Sequence, residues 1–200
     1  MLRLERIHLQ DLEKKFPNLS MEDQVLLMGG GSTYTFDRTG RMTVTQNAYD
    51  HDVVYAGTGS FIPSRNLTYT TFDGEWDDDG NGILTSYSGI RFSGASRKLF
   101  EFLSENTDVE WGLSCNNDGR NPDGVMTTNY NESTVRPDTN LINPGYESLY
   151  HSHPHGNGPS PDDEEYYATL RNRKNQELYD YEYMFVYNPL NGSYIPVDPR

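Results

Sequence analysis

The stretch from residue 147 to residue 187 constrains this chain most. A short strand, Glu147–His151, runs into Pro154, and a Gly/Pro loop follows. Ser160-Pro161-Asp162-Asp163 then opens a helix predicted over Pro161–Lys174, with Ser160 as N-cap and Pro161 at the first helical position. Tyr181–Tyr187, YEYMFVY, is the strongest strand signal in the sequence. Upstream, Ser96–Asn106 reads as a helix with Leu99, Phe100 and Leu103 on one side. Val109–Cys115 and Val125–Tyr130 read as strands, and Tyr194–Val197 closes a hairpin through the turn at Asn188–Gly192. The predicted order from residue 96 is α-β-β-β-α-β-β, an α+β or mixed α/β layer fold.

Before it, residues 31–95 are rich in Gly, Thr, Asp and Tyr and form a β-rich polar extension. Two short strands flank a turn at Arg38–Gly40, and Val53–Tyr55, Thr68–Phe72 and Ile83–Tyr87 are further strand candidates. Asp77, Asp79, Asn81 and Gly82 match the first half of a calcium loop. Ser88 stands where the bidentate Glu is needed, so a solvated acidic turn is the simpler reading.

Hydrophobic residues make up only 34% of the chain, but 15 Tyr, 8 Phe and 2 Trp supply large faces with polar tips. A modest core under long polar loops is expected. The formal charge is −14, from 16 basic and 30 acidic residues. A chain this acidic repels phosphate backbones and anionic bilayers, which disfavours nucleic-acid partners. No apolar run reaches the roughly 18–20 residues of a membrane helix. The single cysteine, Cys115, excludes an intrachain disulfide.

Three of the five histidines fall in the run Tyr150-His-Ser-His-Pro-His. His151 and His153 lie two apart on an extended backbone and point the same way. Two imidazoles at a strand end can hold two corners of a tetrahedral zinc site. Asp163, in the first turn of the next helix, offers a third ligand, with Asp162 as its competitor. Ser160 and Asp163 also form a capping box, which needs no metal to explain it.

The joint pattern resembles the signature of JAMM (JAB, MPN-plus) metallopeptidases: His-x-His-Pro, a Gly/Pro loop, then Ser-x-x-Asp. The intervening loop, Pro154–Pro159, is one residue shorter than is usual there. The resemblance covers about Ser96–Pro199 and implies a cytidine-deaminase-like central sheet with flanking helices. It implies zinc held by His151, His153 and Asp163, with Glu110 in Val-Glu-Trp-Gly as general base and the Ser160 hydroxyl at the oxyanion. Gly112 stands two residues after Glu110, where the family usually has three. The acidic, loop-rich character is similar to the JAB-like domains of bacterial polymorphic toxins. His155 is read as an exposed spare imidazole and Cys115 as a strand residue.

Residues 1–30 have helical periodicity. Leu4, Ile7 and Leu12 share a face before Pro17, and a second short helix from Ser20 ends at the glycines. One reading is an amphipathic segment docked on the domain. The segment also resembles the double-glycine leaders of bacterial proteins exported by peptidase-bearing ABC transporters. For a cut after Gly30, the leader's anchor positions hold Leu27, Gln24, Leu19 and Phe16, three of them apolar. The resemblance implies a secreted protein that is trimmed near Gly30. The domain reading is therefore a leader over 1–30, an extension over 31–95 and a JAMM-like domain over 96–200. The expected function is a secreted zinc peptidase or isopeptidase acting on a protein or peptide, as a toxin or effector with an immunity partner. The rival reading is a secreted binding module that keeps the fold without turnover.

Overall fold

The computed structural model describes residues 31–76, 85–115, 124–133, 148–174 and 183–198. The leader reading of residues 1–30 and the calcium-loop reading at residues 77–82 lie outside them.

Eleven strands and two helices are described. A four-stranded sheet comprises β1 (Ser32–Phe36), β2 (Met42–Gln46), β3 (Val53–Ala56) and β4 (Gly59–Phe61), in the order β2-β1-β3-β4. The larger sheet holds β5 (Thr68–Trp76), β6 (Thr85–Ala95), β7 (Gly112–Cys115), β8 (Gly124–Thr128), β9 (Ser148–Ser152), β10 (Tyr183–Asn188) and β11 (Ser193–Pro196). Its order is β11-β10-β9-β7-β8-β6-β5. The pair β9–β10 is parallel. It therefore needs a crossover, and the helix α2 (Pro161–Lys174) lies in that connection.

The first helix, α1 (Arg97–Asn106), begins where Ser96 Oγ accepts from Leu99 N at 3.2 Å. It buries Leu99, Phe100 and Leu103, three residues at helical spacing. These pack in one core with Phe92, Met126, Leu113 and Tyr150 of the large sheet, and with Tyr34, Phe36 and Val54 of the small one. Trp111, fully buried, sits in the same core. Two polar ties hold α1 to the β10–β11 hairpin: Tyr187 donates to Glu105 at 2.5 Å, and Tyr194 donates to Glu101 at 2.6 Å. Leu149, Tyr167, Leu170, Met184, Val186 and Val197 form a second core between α2 and the other face of the sheet. The side-chain alternation of β9 divides the two: Tyr150 enters the α1 core, and Leu149 and His151 face α2.

The order from α1 to β11 follows the sequence expectation element by element. The division expected at residue 95 does not follow the sheet. β5 and β6 continue the large sheet, because β6 pairs antiparallel with β8 from Ile90↔Thr128 through Ala95↔Gly124. The small sheet likewise shares the α1 core. Among the described residues no helix is long and apolar enough to cross a membrane.

Candidate metal centre

Three elements deliver the candidate ligands. The end of β9 carries His151, and His153 follows it by two residues, on the same face. The backbone of His153 stays in register because its N–H donates to Tyr187 O at 3.0 Å. The loop that follows is pinned at Gly156. There the N–H donates to His153 O at 2.9 Å, and the carbonyl accepts from Asn188 Nδ2 at 2.7 Å. Gly156 has φ +74°, and a Cβ would stand 2.7 Å from Leu190 Cδ1, so glycine suits both the conformation and the space.

Asp163 arrives through the capping box that opens α2. Asp163 N donates to Ser160 Oγ at 3.2 Å, and Asp163 Oδ2 accepts from Ser160 N at 2.6 Å. The Ser160 hydroxyl also donates to Asp163 Oδ2 at 2.8 Å. Capping and ligation are thus compatible, because Oδ2 serves the box while Oδ1 points to His151.

His151 Nε2 lies 3.0 Å from Asp163 Oδ1 and 3.0 Å from His153 Nε2, and His153 Nε2 lies 3.5 Å from Asp163 Oδ2. One ligand atom from each of the three residues falls within a 4.8 Å group. His153 Nδ1 lies 3.1 Å from Gly158 O, which can only accept. Nδ1 therefore carries the proton and Nε2 keeps its lone pair. His151 Nε2 thus faces both a ring nitrogen and a carboxylate oxygen, a grouping that could hold a cation. The donor set of two imidazoles and a carboxylate, partly shielded from water, suits zinc with a coordination position left open.

The electrostatics agree. Burial and the neighbouring His151 push the His153 pKa down against the pull of Asp163, which favours the neutral, ligating form. Burial raises the Asp163 carboxyl, but hydrogen bonding and charge from His151, with the Ser160 hydrogen bonds, overcome it and bring the pKa down to about 2. Asp163 is a carboxylate at any ordinary pH.

Glu110 stands two residues before β7 and is buried, with Oε1 3.6 Å from His153 Nε2. Register brings it there. Gly112 faces His151 across β7–β9, and the antiparallel count carried back two residues sets Glu110 opposite His153. Two bonds between Trp111 and Ser152 lock the pairing: Ser152 N donates to Trp111 O at 2.9 Å, and Trp111 N donates to Ser152 Oγ at 3.0 Å. On the other side Glu110 N donates to Asn131 O at 2.8 Å, past a turn at Tyr130 with φ 58°. These positioning residues carry no local sequence signal, since Asn131 lies 21 positions from Glu110 and Ser152 lies 41 from Trp111.

Other carboxylates, the third histidine of the run and the cysteine are elsewhere. Glu101 and Glu105 bond Tyr194 and Tyr187 on the α1 face. Asp162 is exposed, and Cys115 is buried at the far end of β7. His155 is exposed, 3.7 Å from Glu132.

No curated protein and no solved structure matches the chain. Residues 92–180 match the family model described as JAB-like toxin 1. That match supports a JAB-like toxin domain reaching from within β6 through α2, a span that contains Glu110, His151, His153, Ser160 and Asp163.

Proposed function

We propose that this chain is a zinc-dependent peptidase or isopeptidase that acts as a bacterial toxin or effector outside the cell that makes it. The observation that carries the proposal is the buried Glu110 carboxylate beside a His-His-Asp group within the matched region. His151 Nε2, His153 Nε2 and an Asp163 oxygen would hold the metal. Zinc, when bound, supplies a Lewis acid that activates water and polarises a carbonyl. Glu110 Oε1 accepts the proton of the attacking water and returns it to the leaving amine. The Ser160 hydroxyl, released from Asp163 Oδ2, donates to the developing oxyanion. Burial of Glu110 keeps its carboxylate close to the reacting atoms and away from competing solvent.

The test is hydrolysis of internally quenched peptides and of isopeptide-linked conjugates by zinc-loaded protein. Loss on chelation and recovery on adding zinc back support the proposal. Stoichiometric zinc with no turnover on either substrate class would instead favour the binding module.

Export through the double-glycine route belongs to the same proposal, with an ABC exporter carrying a peptidase as one partner and an immunity protein as another. Gly31 has its own structural reason to be glycine, since a Cβ there would collide with the His51 carbonyl. Processing should therefore be judged at Gly29 and Gly30. Co-expression with such an exporter should give a product about thirty residues shorter that begins at Gly31, and Gly30→Ala should block it. Deleting residues 1–30 should leave the thermal midpoint unchanged. A lost cooperative melt would show that these residues are a docked part of the domain.

A further inference from the structure

Six residues, 154–159, separate His153 from Ser160, and they must place two parts of the candidate metal centre at once. They deliver the chain to the capping box of Asp163, and within them Gly158 O accepts from His153 Nδ1 at 3.1 Å. The loop is poorly built to keep that carbonyl in place unaided. Two of its six residues are prolines, which have no N–H to donate, and two are glycines, which lose the most conformational freedom on ordering. Gly158 itself is exposed. An anchor comes from the hairpin β10–β11. Tyr187 O accepts from His153 N at 3.0 Å, and the next residue, Asn188, donates from Nδ2 to Gly156 O at 2.7 Å. Leu190 of the same turn lies against Gly156, although most of its side chain is exposed.

Turn chemistry explains only half of Asn188. Its Oδ1 accepts from Leu190 N at 3.0 Å and its backbone carbonyl accepts from Gly192 N at 2.9 Å, and these two bonds shape the turn. An Asp at this position would make both. The amide donor is extra, and in a buried residue it is directed to Gly156 O. A carboxylate there would set a second oxygen against the Gly156 carbonyl with no proton between them, which leaves an acceptor unsatisfied.

We infer that Asn188 is a positioning residue of the metal centre: through Gly156 it fixes the 154–159 loop, so that Gly158 O holds the His153 ring with Nε2 turned toward His151 and Asp163. The inference rests on the metal-binding part of the reading above. The chain of contacts is short. Asn188 holds Gly156, Gly158 lies two residues on, and the Gly158 carbonyl meets the ring. A ligating histidine whose other nitrogen has a fixed partner keeps one tautomer and one orientation, and loss of such support costs roughly 10–100-fold in metal affinity.

The test uses the full chain and two readouts. Zinc affinity is measured by competition with a chelator of known affinity. The zinc-free protein, made with isotope-labelled histidine, is read by NMR for a slowly exchanging ring proton on His153, assigned by its absence from His153→Ala. Asn188→Asp keeps the bond to Leu190 N and removes the donor. It should lower zinc affinity by roughly 10–100-fold and lose the protected ring proton. Asn188→Ala should do the same without adding charge, and it serves if the Asp variant melts without cooperativity. Asn191→Ala removes a different bond of the same turn, Ser193 N to Asn191 Oδ1 at 3.0 Å, and should leave both readouts unchanged. Parental zinc affinity or a retained ring proton in a folded Asn188 variant overturns the inference, as does absence of that proton from the parent. An equal loss in Asn191→Ala reduces Asn188 to a turn residue, and loss of folding in both Asn188 variants makes it a determinant of the fold; either outcome overturns its assignment. A parent that binds no zinc sinks the metal-binding reading, while the ring proton, read without metal, still decides whether Asn188 positions His153.

Discussion

Glu110→Gln is expected to keep about one equivalent of zinc and to lose hydrolysis by about 10²–10⁴-fold. The amide matches the carboxylate in shape, so the bonds that position residue 110 should persist. Two of them run through the backbone, Glu110 N to Asn131 O and Thr128 Oγ1 to Glu110 O. What is lost is a base at Oε1, 3.6 Å from His153 Nε2. Metal analysis beside kcat measured on the same sample checks it. Normal turnover would move the base role elsewhere, and Glu101 and Glu105 are poor substitutes because α1 holds them on the opposite side of the sheet.

His153→Ala should give the second large effect, loss of stoichiometric zinc. Two ligands would remain, and the ordered Nδ1 contact to Gly158 O, which aims Nε2, would vanish with the ring. Binding to the folded chain alone stabilises it by about 2.7 kcal/mol at a free concentration one hundred times Kd. The parent should therefore melt higher with added zinc, and the variant should not respond. Zinc retained at one equivalent by His153→Ala would show that the ligand set is different. Acid should release zinc from the parent, since each imidazole must be neutral to ligate and His⁺ accumulates as the pH falls.

Local signals in the sequence are reliable here, and distant ones are silent. Ser96 with Leu99, Phe100 and Leu103 suffices for α1, and Ser160-Pro161-Asp162-Asp163 for the start of α2, because caps and helical periodicity act within a few residues. The histidine pair is legible for the same reason. The strand β4 is three residues long and carries no periodic signal. The length of β6 is hidden by Gly89 and Gly94, which break its alternation, and its place in the large sheet depends on β8, some thirty residues later. Glu110 is recognisable only as a carboxylate after a helix; its approach to His153 depends on Trp111 meeting Ser152 across 41 positions.

The parallel pairing of β9 with β10 has a consequence for when the metal can be held. Before the crossover closes, the chain offers only His151 and His153, a two-ligand fragment that any extended His-x-His would match. Asp163 joins once α2 is seated, and Glu110 once β7 has paired with β9. Capture of a metal there would then be a late event that depends on non-local contacts, which form slowly. On the proposed export route, a chain unfolded for passage would travel without a metal ion and acquire one on refolding. Zinc content would thus record how much of the chain has completed its sheet, and scarcity of zinc at the destination would lower the fraction folded as well as the fraction active.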